Sequence, residues 1–309
     1  MISSLGVLFL ACCYPDSWIC SCFKWSHGPT IPSIRSSTFR QQAFPIYGNV
    51  FFGDNEKLIN QRYYVRIMTT TDNIKAQHQE IVSIKDDNQN IIEGRLSIPS
   101  SSTTTANADI KGIVIFAHGS GSSRRSPRNR YVAQVLNDAG IATLLIDLLT
   151  SEEEKVDNIT REHRFNIKLL AKRLLSATDW ILQSTKYKSL KLGYFGASTG
   201  AAAALVAAAE RSSRIYAIVS RGGRPDLAGT DVLSRIAAPT LLIVGENDKQ
   251  VIELNEMALK QLTNIEKKKK MIIVPKATHL FEEPGALEEV AKRASGWFQC
   301  FFLEETHPI

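Results

Sequence analysis

The chain has 309 residues, 44% of them hydrophobic, enough to bury a full core. Its formal charge of +6 is diffuse: residues 1–77 hold seven Lys/Arg and four Asp/Glu, which leaves +3 for the other 232, too little for a nucleic-acid footprint. Four of the five cysteines (Cys12, Cys13, Cys20 and Cys22) crowd the amino terminus in no zinc-binding spacing, and Cys300 stands alone, so disulfides do not hold the body of the chain together and a reducing, cytoplasmic setting is expected.

Residues 1–77 read as a poorly ordered extension. The apolar run 5–13 is far too short to span a membrane, and no Lys or Arg precedes it as in a signal peptide. Membrane contact is not expected, although anchoring through an acylated Cys12 or Cys13 stays open. Residues 26–48 mix Pro, Ser, Gly and Gln without periodicity, as a linker does. From residue 78 the pattern changes. Residues 80–84 and 91–98 read as two strands of an opening hairpin, and the Ser/Thr-rich stretch 100–109 reads as a loop. The apolar run 112–117 is a strand that ends in His118-Gly119-Ser120-Gly121-Ser122. Glycines 119 and 121 brush against a dinucleotide fingerprint, but its third glycine would fall on Arg124, which excludes it.

A helix follows near 127–139, with Pro127 suited to its first turn, then a buried strand at 141–147. Residues 150–162 read as a polar connection into an amphipathic helix that runs to about 184. Next comes the most informative stretch, Gly196-Ala197-Ser198-Thr199-Gly200, between the apolar run 190–195 and the alanine-rich run 201–209. Strand, tight turn and helix are the context of a nucleophile elbow, in which a serine stands clear of the backbone at the amino end of a helix. A side chain at 196 or 200 would collide with the neighbouring strand and helix. Strands at 215–220 and 239–244 follow, then a helix through 253–262. The basic run 267–270 reads as a solvated turn, the strand 271–275 comes next, and a final helix covers 285–302 before the tail at 304–309.

Eight strands alternating with helices demand a mostly parallel sheet covered on both faces, and the resemblance described below implies that this is the α/β-hydrolase fold. The insert after residue 220 is only about 18 residues long, so no large lid domain is expected. The three groups of an acyl-transfer site fall in the order serine, acid, histidine. Ser198 is the nucleophile candidate. Asp248 follows the 239–244 strand, with Glu246 as a nearby rival for the acid. His279 follows the last strand; of the six histidines it alone sits between a terminal strand and a terminal helix. Imidazole takes the hydroxyl proton, and a carboxylate fixes its tautomer. The backbone amides of Ser120 and Thr199 are the candidate oxyanion donors, while His118 is expected to be structural.

Residues 112–303 resemble the dienelactone hydrolase-related α/β-hydrolases, some of which are fused to a phosphoribosyltransferase domain. The resemblance rests on HGSGSSR at 118–124, SPRNR at 126–130, LIDLLT at 145–150, GASTGAAAA at 196–204, SRGGRPDLAG at 220–229 and ATHLFEEP at 277–284. It implies the same Ser198–Asp248–His279 triad, with no metal and no organic cofactor. Dienelactone hydrolase proper uses a cysteine where this chain has Ser198, so the dienelactone substrate is not carried over. No phosphoribosyltransferase signature is present.

The expected partner is a small ester or lactone, cleaved through an acyl-enzyme on Ser198. Arg124, Arg128, Arg221 and Arg224 lie on loops at the catalytic side, and guanidinium forks bind carboxylates, so an anionic substrate is expected unless these arginines pair with protein carboxylates. A non-catalytic ligand-binding protein of the same fold, or an acyltransferase using the same groups, remains an open alternative. Oligomeric state is not readable from the sequence.

Overall fold

The computed structural model of the chain describes residues 77–99, 110–263, 265 and 268–303. The extension expected at 1–77 lies outside them except for Gln77, as do the loop at 100–109 and the tail at 304–309. Among the described residues, β1 (Gln77–Lys85) and β2 (Ile91–Pro99) pair antiparallel as the expected hairpin. Then come β3 (Ile113–Ala117), β4 (Ala142–Ile146), β5 (Leu192–Ala197), β6 (Ile215–Arg221), β7 (Thr240–Gly245) and β8 (Lys269–Val274). They form one sheet in the order β1-β2-β4-β3-β5-β6-β7-β8. β2 lies antiparallel to β4, and every pairing from β4 to β8 is parallel. Lys269 and Lys270 belong to β8, so the basic run enters the sheet edge further than the turn expected from its charge.

Side-chain alternation along the central strands builds two cores. Ile113, Ile115 and Ala117 of β3 pack on one face, with residues of α3 (Ile167–Gln183), α4 (Thr199–Glu210) and α6 (Lys249–Gln261). Val114 and Phe116 pack on the other, with α1 (Pro127–Asp138) and α7 (Ala286–Leu303). β3, β4, β5 and β7 are buried along their whole length, which explains why they read as unbroken apolar runs. Between β6 and β7 stand only a 3₁₀ turn, Pro225–Ala228, and the short α5 (Thr230–Ser234).

One element corrects the sequence reading. The polar stretch after β4 contains a helix, α2 (Ser151–Thr160). The hydroxyl of Thr150 accepts the Glu153 amide at 3.1 Å, and the Glu153 carboxylate accepts the Thr150 amide at 2.8 Å. Glu152, Glu153 and Glu154 in the first turn favour the positive end of the helix dipole. With only a weak apolar stripe, α2 gave no helical periodicity to follow; its start signal is the capping box.

Arg173 of α3 ties this helix to the body. It is 2% exposed, and its guanidinium pairs with Asp86 in the β1–β2 turn and with Glu153 of α2. Asp86 in turn accepts the amides of Asn88 and Asn90 at 2.9 and 2.8 Å. Arg173→Ala strands these carboxylates, of which Asp86 is itself 8% exposed. The expected loss is about 3–5 kcal/mol of unfolding free energy, read as a lowered urea midpoint.

Candidate active site

The elbow lies where β5 meets α4. Ser198 has φ 51° and ψ −121°, a left-handed conformation for a residue with a side chain. Three backbone bonds hold it there. Its amide donates to the Arg221 carbonyl at 3.2 Å, and its carbonyl accepts the Ala201 and Arg224 amides, each at 3.1 Å. The flanking glycines are required by close approach: a Cβ on Gly196 would lie 2.4 Å from Ala201 Cα, and one on Gly200 would lie 2.3 Å from the Ala117 carbonyl oxygen. Ser198 makes no side-chain capping bond to α4 and is half-buried, so its hydroxyl is left for other work.

Parallel order brings β6, β7 and β8 side by side, so the loops after β7 and β8 meet. The Asn247 amide donates to the Ala277 carbonyl at 2.9 Å, and its side-chain amide donates to the Lys276 carbonyl at 2.9 Å. The Glu246 carboxylate accepts the Lys276 amide at 2.7 Å. That leaves Asp248 as the carboxylate facing the imidazole: its Oδ2 lies 2.6 Å from His279 Nδ1. On the other side of the ring, a Cβ built on Gly222 would lie 3.5 Å from His279 Cε1. Gly222 directly follows Arg221, whose carbonyl takes the Ser198 amide. Among the described residues no hydrogen bond joins the Ser198 hydroxyl to the ring, an arrangement common before substrate binds.

The loop after β3 closes the third side. β3 and β5 run in register to Ala117↔Gly196, which sets residues 118–122 next to Ser198. A Cβ on Gly119 would lie 3.1 Å from Ser198 Cβ. Among the described residues the amides of Ser120 and Thr199 donate to no protein acceptor. Both residues line a cleft of about 500 Å³, open solvent included, with Ser122, Leu148, Asn158 and Arg164 among its other walls. Ser198, Asp248 and His279 are not part of that lining, whereas Thr199, the residue after Ser198, is. Asn158 and Arg164 were missed by the sequence reading because they belong to, or follow, the unexpected helix α2. Arg164 is fixed to Asp157 of α2, with Nε 2.7 Å from Oδ2. Among the described residues no cluster of His, Cys, Asp and Glu is arranged to hold a metal, and no helix is long and apolar enough to cross a membrane.

Three of the four arginines follow the alternative of pairing within the protein. Arg124 is buried, and its guanidinium bridges Asp147 and Glu93. Arg128 pairs with Glu282 at 3.0 Å. Arg224 makes a fork to Asp226 at 2.8 and 2.7 Å. These three are matched by protein carboxylates, the alternative to a role as substrate anchors. Arg221 is buried, and what it gives the site is its carbonyl, as Arg224 gives its amide.

A family model described as an alpha/beta hydrolase domain matches residues 110–294. The chain belongs to the α/β-hydrolase family. It is 56% identical to a dienelactone hydrolase from Anabaena variabilis, whose crystal structure superposes with a TM-score of 0.67 over 73% of this chain and 98% of that one. It is 53% identical over 215 residues to a Mycobacterium tuberculosis protein provisionally named a phosphoribosyl transferase, covering 70% of this chain and 46% of the relative. The chain therefore spans less than half the length of that curated relative. Two further structures share the fold alone: Est1E of Butyrivibrio proteoclasticus (17% identity, TM-score 0.59, 72% of this chain and 99% of that one) and a lidless a/b serine hydrolase of Xanthomonas campestris (16% identity, TM-score 0.57, 74% and 97%).

In this α/β-hydrolase His118 has a structural place. Nε2 accepts the Leu148 amide at 3.0 Å, so the ring proton sits on Nδ1 and is donated to the Gly119 carbonyl at 2.9 Å. The ring is thereby neutral and both nitrogens are spent on holding the loop after β3 to the chain after β4. Burial pushes its pKa below the ordinary histidine value, against the opposing pull of the Gly119 carbonyl and Asp147. The unfolded chain, titrating near pH 6.5, then binds a proton that the native state refuses. This contribution to stability is complete above that pH and falls as pH drops below it, by up to about 1.4 kcal/mol per pH unit. Urea midpoints measured from pH 8 to pH 5.5 are expected to fall more steeply for the parent than for His118→Asn.

Proposed function

We propose that the protein is a serine hydrolase of carboxylic esters or lactones, working through an acyl-enzyme on Ser198. The observation that carries this reading is the strained elbow serine: its hydroxyl is not spent on its helix, and an imidazole already bonded to Asp248 lies against Gly222, one residue past the Arg221 whose carbonyl takes the Ser198 amide. In the proposed reaction the Ser198 hydroxyl attacks the acyl carbonyl while His279 Nε2 takes its proton. The negative charge that develops on the carbonyl oxygen is met by the Ser120 and Thr199 amides, with the amino terminus of α4 behind them. His279 then gives the proton to the departing alcohol. A water enters, His279 activates it, and the acyl-enzyme is hydrolysed. Asp248 keeps the ring proton on Nδ1 and steadies the imidazolium.

The dienelactone hydrolase relative supports an ester or lactone bond as the target. With Arg124, Arg128 and Arg224 matched inside the protein, a carboxylate on the substrate is not part of the proposal. A fluorophosphonate probe is expected to label the parent covalently and to leave Ser198→Ala unlabelled; an unlabelled parent would end this reading. On aryl acetates, Ser198→Ala and Asp248→Asn are each expected to lower kcat on the order of 10⁴-fold, with the fold intact by circular dichroism.

A further inference from the structure

Thr199 is known so far for its amide. Its side chain is the less expected feature. Thr199 is 2% exposed, and its Oγ1 is buried with no hydrogen-bond partner among the described residues. A buried hydroxyl left unpaired costs free energy, so native proteins keep one chiefly where a ligand, a water or the chemistry supplies the missing partner. Here the position names the partner. Thr199 is the first residue of α4, immediately after Ser198, and it lines the cleft together with Ser120. At this place no carbonyl of a preceding helical turn exists for the hydroxyl to bond. Apolar Leu148 and Leu170 stand among the other walls beside polar Ser122, Asp147 and Asn158, and none of them is bonded to the hydroxyl.

Resting on the hydrolase reading above, we propose that the Thr199 hydroxyl is a third oxyanion donor. Its O–H donates to the same carbonyl oxygen that the Ser120 and Thr199 amides bind. The bond strengthens as the oxygen takes on charge, and no proton is transferred through it. A hydroxyl and an amide on one residue converge on one acceptor without ordering a second chain segment. The β-branched side chain is stiff about χ1, so the donor is set before substrate arrives. Stabilisation of this kind acts on the transition state more than on the bound ester, so it shows in kcat.

Thr199→Val keeps the shape and removes the donor, while Thr199→Ser restores the hydroxyl. With p-nitrophenyl acetate, an acyl group carrying no further oxygen to bind, Thr199→Val is expected to lose about 10²-fold in kcat with KM little changed. Thr199→Ser is expected to recover most of that loss. Equal losses in the two variants, a loss confined to KM, or full activity of Thr199→Val would each overturn the proposal. Labelling by the fluorophosphonate probe separates the two readings. A parent that labels and turns over beside an unimpaired Thr199→Val removes only the hydroxyl's role, whereas a parent that never labels removes the hydrolase itself. Should Thr199→Val fail to fold, an unimpaired Thr199→Ala would overturn the proposal in the same way.

Discussion

The conformation of Ser198 is the constraint from which the rest of the site follows. A non-glycine residue in such a region costs on the order of 1–3 kcal/mol and persists only where its surroundings over-determine it. Here the sheet does so. β5 and β6 pair in register to Ala197↔Arg221, so the next amide along β5 finds the Arg221 carbonyl directly across from it. The chain leaving β6 then turns back and gives the Arg224 amide to the Ser198 carbonyl. Strand pairing and the first turn of α4 thus fix both peptide groups of one residue. The two glycines let β3, β5 and α4 come close enough to do so; with any side chain at 196 or 200, backbone atoms would overlap.

The partners are held with the same indirectness. Asp248 and His279 come from different loops, yet those loops are stitched together by Glu246 and Asn247 before either functional side chain is considered. Glu246, the sequence rival for the acid, is spent on the Lys276 amide. A long-range bond of this kind cannot be read from the strand-and-turn pattern that placed both carboxylates in one loop. Spacing therefore found the loop, and tertiary contact chose the carboxylate within it.

What the sequence made legible follows the range of the forces involved. Apolar periodicity and turn chemistry are local, and they located all eight strands, the elbow and the loop after β3. The helix α2 was missed because its contacts with the body run through charges: Glu153 with Arg173, and Asp157 with Arg164. A hydropathy pattern is blind to such contacts. The arginines were ambiguous for the same reason. Sequence left them between substrate anchors and partners of protein carboxylates, and the fold decides for three: Arg124 faces Asp147 and Glu93, Arg224 faces Asp226, and Arg128 faces Glu282, 154 positions away.

This pairing has a consequence for the electrostatics of the proposed reaction. Arg124, Arg128 and Arg224 are paired with carboxylates within the protein, so in the proposed reaction none of these three guanidinium groups meets the developing oxyanion, and the donors are fixed dipoles: two amides, the first turn of α4 and, in our proposal, one hydroxyl. Dipoles held by a folded backbone need no reorganisation when charge appears, and they do not bind a ground-state carboxylate as a guanidinium fork would. In the proposed reaction such dipoles act on the charge that appears only in the transition state, so their effect falls on the rate of the chemical step more than on the binding of the ester.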